Sequence, residues 1–151
     1  MHHQHLRILT LLFSVLVVLE SILGGVLFIV LAGWSPHDIA LYYSQKSLHG
    51  LLETLAPHTL FISVALMGTL HFLGFISTIS EKQKQFLIHV LFGLFIIDQS
   101  APIFIVLGLN FFATIKLVAF IVFESALALT FIVIFRESLR DFFSHRLDVQ
   151  R

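Results

Sequence analysis

Between Ile8 and Leu31 the chain runs for about 24 residues with only Glu20 to interrupt its apolar character, longer than a bilayer core requires. A second run, Thr59 to Ile76, carries no formal charge and is broken only by His71 and a few small polar residues. Two more apolar stretches follow, from Gln85 to Gly108 and from Phe111 to Phe135. Inside a bilayer every backbone N–H and C=O must be bonded internally, so such runs become helices. Composition agrees, with 58% hydrophobic and 12% charged residues, where a soluble domain carries roughly 25% charged. The expected fold is all-α, an integral membrane four-helix bundle. It forms a single membrane domain over residues 1–151, with spans near 8–31, 58–79, 85–108 and 111–135.

Several function classes drop out. Formal net charge is zero, so no field draws in nucleic acid. Absence of cysteine removes disulfides, thiolate-bound iron–sulfur clusters and C-x-x-C-H haem attachment. No nucleophile elbow, nucleotide loop or zinc-protease helix is present. The protein is expected to have no catalytic activity on its own.

Local signals set the boundaries. The first run is too long for the apolar core of a signal peptide and reads as an uncleaved helix. Gly33 can end it and Trp34 can sit at the interface. Ser35-Pro36 is a helix start, a capping serine followed by proline at the first helical position. The mixed segment from there to Ala56 reads as a short interfacial helical stretch, with Pro57 marking entry to helix two. Ser80 and Gln83 fit a capping box that starts helix three. Pro102 lies inside that helix, where its ring removes the bond to the carbonyl of Asp98 and predicts a kink. Asn110 is a candidate cap for helix four. Past Phe135 the tail keeps apolar residues at 139, 142, 143 and 147, the pattern of an amphipathic surface helix.

Orientation follows from the basic residues. With four spans, Arg7, Lys82, Lys84, Arg136, Arg140, Arg146 and Arg151 share one side, and only Lys46 falls on the other. The positive-inside rule puts both termini in the cytoplasm.

Three polar sets are site candidates. His71 and His89 lie on consecutive helices, each roughly 7–9 Å in from the boundary near the 77–84 loop at 1.5 Å per residue. Two imidazoles at one depth are what a bis-histidine haem b requires, and Gly68 and Gly93 lie one turn from them. Packing against a carbonyl or hydroxyl is the competing use. The second set is His49 and Glu53, four apart and so on one face, with His58 beyond Pro57. It is a candidate metal site, although a wet cap in which Glu53 pairs with His49 is favoured. His58 and His71 are thirteen residues apart, about 220° round the helix, and cannot serve one cofactor. The third set is Glu20, Asp98, Lys116 and Glu124 within the spans. Such charges must be neutral, paired or facing a polar cavity, as a proton path, a quinone headgroup site or interhelical locks. Eight residues separate Lys116 from Glu124, more than about 10 Å, so no pair within helix four is expected.

The run KSLHGLLETLAPHTLF, with a second histidine at 71, resembles small uncharacterised four-helix bacterial inner-membrane proteins. More loosely it is similar to the membrane subunits of b-type cytochromes. The resemblance implies a bacterial inner-membrane location and, through the cytochromes, one haem at most, since Pro102 and Ile103 stand where a further ligand would fall. Two functions remain open. One is a single-haem subunit for electron transfer or quinone-linked redox, working with membrane or periplasmic partners or as a homo-oligomer. The other is a non-enzymatic scaffold whose polar residues lock helix packing.

Overall fold

The computed structural model describes the backbone of residues 2–149 and the side chains of residues 8–140. Five helices follow in order: α1 His2–Ala32, α2 Pro36–Ser44, α3 Leu48–Gly74, α4 Glu81–Val106 and α5 Phe112–Val149. All but α2 contain a segment long and apolar enough to cross a membrane, namely Ile8–Ala32, Leu48–Gly74, Glu81–Val106 and Phe112–Arg140. The protein is an integral membrane helical bundle.

Each boundary has a local cause. Gly33 ends α1 in the left-handed region at φ 79°, donating its N–H to the Ile29 carbonyl at 3.0 Å. A Cβ there would lie 2.6 Å from that of Asp38, so the turn into α2 needs glycine twice over. Ser35 caps α2 by accepting from the Asp38 N–H at 3.1 Å, with Pro36 at the first turn. Ser80 and Gln83 form the expected capping box of α4.

Two expected boundaries move. Helix two was placed from Pro57 to about Ile79, but α3 starts at Leu48. There Ser47 accepts from the Gly50 N–H at 3.1 Å and nucleates the helix nine residues earlier. Pro57 then sits inside α3. It forfeits only the bond to the Glu53 carbonyl, at a point where both residues are exposed. At its other end α3 stops at Gly74, where Phe75 and Ile76 turn back to the Phe72 and Leu73 carbonyls at 3.1 Å each and the Lys84 ammonium takes up the Gly74 carbonyl at 3.1 Å. Pro102 lies buried within an uninterrupted α4. α5 continues without a break through the tail to Val149, and the tail side chains at 142, 143 and 147 lie outside those described.

Between lipid-bathed helices the hydrophobic effect supplies no cohesion, so packing and hydrogen bonds must. α4 and α5 share the longest seam. The central core joins Val17 of α1, Leu66 of α3, Leu91 and Phe95 of α4, and Phe123 and Leu127 of α5. α2 is more than an interfacial strip. Its Ile39 is fully buried against Ala32, Ile105 and Ala113, closing that end of the bundle. At the other end Phe72, Leu73, Ile76 and Ile134 pack together. α1 is loosely held, with 11% of its apolar stretch buried, the same share as in α3, against 39% for α4. It touches α3 chiefly where Phe13 packs on Phe72, ring centroids 5.2 Å apart, and on Gly68.

Candidate functional site

Because α1 meets α3 near Phe13 and meets α2 at Ala32, the two walls stand apart between those points. The gap is a cavity of about 640 Å³. Its walls are leucines and isoleucines such as Leu23 and Leu27 of α1 and Leu55 and Ile62 of α3, with Phe28, Phe120 and Phe123 deeper in. Tyr42, Tyr43 and Lys46 border it from α2 and the α2–α3 turn.

Polar groups enter from every span. Asp98 and Lys116 form an ion pair at 2.6 Å, each side chain 7% exposed. Gln99 donates to the second oxygen of Asp98 at 2.9 Å and accepts from the Thr59 hydroxyl at 3.0 Å. The chain Thr59–Gln99–Asp98–Lys116 therefore ties α3, α4 and α5 together. The Lys116 ammonium also lies 5.2 Å from the centre of the Phe28 ring, within cation–π range. Glu124 of α5 accepts from Ser21 of α1 at 2.8 Å. Glu20 and His58 differ from these. Both line the cavity and are open to it, and neither makes a hydrogen bond or salt bridge among the described residues. They stand within electrostatic reach of one another.

Depth organises the set. Glu20 lies twelve residues before the end of α1 and Glu124 twelve after the start of α5, about 18 Å along each helix and near mid-bilayer. Lys116 lies about 6 Å into α5, nearer the α2 end. On α2, burial pushes the Tyr43 phenol well above its ordinary range, and the Asp98 charge adds to the effect.

Glu20, Asp98, Lys116 and Glu124, drawn from three spans, thus share one cavity, and His58 faces it too. His58 does not join His49 and Glu53, which pair with each other at 3.1 Å on the exposed start of α3. No three metal-ligating groups lie close enough to hold an ion among the described residues. His71 and His89 lie elsewhere. Both are exposed, and His71 is about 200° round α3 from buried Leu73, on the outer face of the bundle. His71 sits edge-on to Phe75 at 5.1 Å between centroids. His89 bonds the Gln85 carbonyl through Nδ1 at 2.6 Å. The space expected beside Gly68 is filled by the Phe13 ring, whereas Gly93 faces open space.

Sequence reasoning missed the pairing of Lys116 with Asp98, having sought a partner only within helix four. Asp98 lies ten residues before Gly108 and Lys116 eight after it. That match in depth was open to the comparison applied to the histidines. Thr59, Gln99 and Ser21 carried no such signal, since small polar residues are ordinary in apolar helices.

Residues 33–142 match the transmembrane helical domain Aq_1264_TM. The chain belongs to that family. The matched stretch holds α2, α3, α4 and the spanning part of α5, with the whole Thr59–Gln99–Asp98–Lys116 network. α1, with Glu20 and Ser21, precedes it. Neither the curated proteins nor the solved structures contain a match.

Proposed function

We propose that this protein binds a lipid-soluble small molecule within the bilayer, as a membrane subunit with no catalytic activity of its own. The observation that carries this reading is the cavity between α1 and α3. It has the volume of a small-molecule site, apolar walls and a few convergent polar groups. A tail would lie along Leu23, Leu27 and Ile62, and a polar head would meet Glu20, His58 and Glu124. A pure scaffold accounts for the bonded network but gives no role to Glu20 and His58, whose exposure inside a span is costly without a partner. With Lys82, Lys84, Arg136 and Arg140 gathered opposite Lys46, the basic residues favour both termini in the cytoplasm of a bacterial cell. The cavity then lies toward the periplasmic half of its inner membrane.

The test is photolabelling in lipid nanodiscs with a neutral long-chain alkyl diazirine. Labelling at Leu23 and Ile62 should saturate with probe, while labelling at lipid-facing Val64 should rise in proportion. Gly24 lines the cavity with open space beside it, so Gly24→Trp should fill the cavity and suppress the saturable component. Cavity labelling that rises linearly, as at Val64, sinks the proposal.

Haem is a second reading. The bond from His89 Nδ1 to the Gln85 carbonyl is the one that leaves Nε2 for a metal and fixes the ring. Since His71 and His89 are both exposed, a haem on this pair would sit on the outer surface of α3 and α4, in a seam with a partner or a second copy. There it would supply one-electron transfer. Protein made with ample haem should then show a low-spin b-type spectrum that is lost in either His71→Ala or His89→Ala. A colourless preparation removes this reading.

A further inference from the structure

We infer that the molecule entering the cavity carries a cationic head, for which Glu20 and Glu124 are the counter-ions. This rests on the binding reading above and adds the class of ligand. The charged or titratable groups facing the cavity are Glu20 from α1, Tyr42 and Tyr43 from α2, Lys46 from the turn, His58 from α3, Asp98 from α4, and Lys116 and Glu124 from α5. Lys116 is used up by Asp98 at 2.6 Å. Lys46 is at the rim, its ammonium 4.5 Å from the centre of the Tyr42 ring. The phenols stay neutral in the physiological range, Tyr43 all the more so for its burial.

What is left over is two carboxylates and one imidazole, that of His58. Glu20 has neither a hydrogen bond nor a salt bridge among the described residues. Glu124 has the Ser21 hydroxyl at 2.8 Å and, among the described residues, no salt bridge. Both sit at about the same depth, facing one volume. Lys116 is held by Asp98, Lys46 lies over the Tyr42 ring, and the His58 imidazole alone stands within electrostatic reach of Glu20, so an anionic head would meet carboxylates that no lysine pairs, in a medium that screens poorly. A neutral head such as a quinone would leave both carboxylates without a countercharge. A cationic head supplies it.

The walls suit the same ligand. Lys116 and Lys46 already lie over the Phe28 and Tyr42 rings, so aromatic faces at this cavity do stabilise cations. The absence of any metal-sized group of ligands among the described residues turns the choice to an organic cation with an apolar body.

Tetraphenylphosphonium and tetraphenylborate make the test, being nearly equal in size and opposite in charge. Binding of each to the full chain in nanodiscs is measured by equilibrium dialysis and corrected for empty nanodiscs. Tetraphenylphosphonium should bind saturably and compete with the alkyl diazirine at Leu23 and Ile62, whereas tetraphenylborate should do neither. Glu20→Gln should weaken tetraphenylphosphonium by about tenfold or more, and adding Glu124→Gln should weaken it further. Glu20 bonds nothing and glutamine can still accept from Ser21, so both variants keep their folds, as thermal melts in nanodiscs check. Equal binding of the two ions overturns the inference. So does tetraphenylphosphonium affinity unchanged in the double variant. If the diazirine label still saturates in either case, the binding reading stands without it. Loss of saturable diazirine labelling in the unmodified protein removes both.

Discussion

Lys116→Met removes one partner of a pair whose two side chains are 7% exposed. Asp98 keeps the Gln99 amide at 2.9 Å but loses its countercharge. Breaking a buried pair from one side costs about 3–5 kcal/mol, because the remaining charge stays desolvated. Replacing both partners by apolar residues of similar volume is often neutral or even stabilising, by about 1–4 kcal/mol. Lys116→Met alone should therefore lose about 3–5 kcal/mol, and adding Asp98→Leu should recover most of it. An ordinary interhelical hydrogen bond gives the scale for comparison. In membranes such bonds couple by about 0.6 kcal/mol on average, so Ser21→Ala, which frees Glu124, should cost far less.

The assay is equilibrium unfolding by sodium dodecyl sulfate in mixed micelles, run as a double-mutant cycle on Asp98 and Lys116. The coupling should exceed that of Ser21 with Glu124 several-fold. Additive losses, with coupling below about 0.5 kcal/mol, would refute the claim that this pair is a desolvated unit.

Three further outcomes follow from local geometry. In Tyr42→Phe the one remaining tyrosine is Tyr43, whose phenol burial pushes up. Its tyrosinate absorbance should be absent at pH about 10, where a free phenol is half ionised. Because the folded value is the raised one, the stability this group contributes is fully present below about pH 10 and lost as pH rises beyond it. Half ionisation of native Tyr42→Phe at pH 10 would contradict the burial. Gly33→Ala should destabilise by about 1–3 kcal/mol in thermal melts, and by more than Gly108→Ala. Both glycines have positive φ, but only Gly33 has Asp38 where a Cβ would go; equal losses would remove Asp38 from the explanation. Reporter fusions at Gln45 and Gln83 should report opposite sides of the membrane, with Gln83 cytoplasmic, and a shared side would refute four spans.

The helical membrane fold was legible because bilayer thickness leaves so few ways to use four long apolar runs. Ser35-Pro36 and the Ser80–Gln83 box were legible because caps are local chemistry. Pro57 misled for an equally physical reason. Proline inside a helix costs one ladder bond, and at an exposed turn of α3 holding Glu53 and Pro57 that loss is tolerable once Ser47 has started the helix. The site was half legible. Glu20, Asp98, Lys116 and Glu124 stood out as charges in apolar runs, but their convergence depended on the rotation of each helix about its axis. A helix with apolar residues all round gives no stripe from which to read that rotation. The histidine pair shows the same gap. Matched depth put His71 and His89 at one level, and the turn of each helix decided that both face outward.

The polar residues of these spans divide by whether packing satisfies them. Asp98, Lys116, Gln99 and Thr59 lie where α3, α4 and α5 meet, and each finds a partner in the seam. No buried side-chain nitrogen or oxygen among the described residues lacks a hydrogen bond. A bundle selected only for packing would end there, with apolar residues on every other inward position. Instead Glu20 and His58 stand on α1 and α3, the two helices that part to form the cavity. Either residue as leucine would remove the cost of holding a polar group inside a span and break no bond. Helix packing therefore gives no reason for these two residues, and whatever occupies the space between α1 and α3 does.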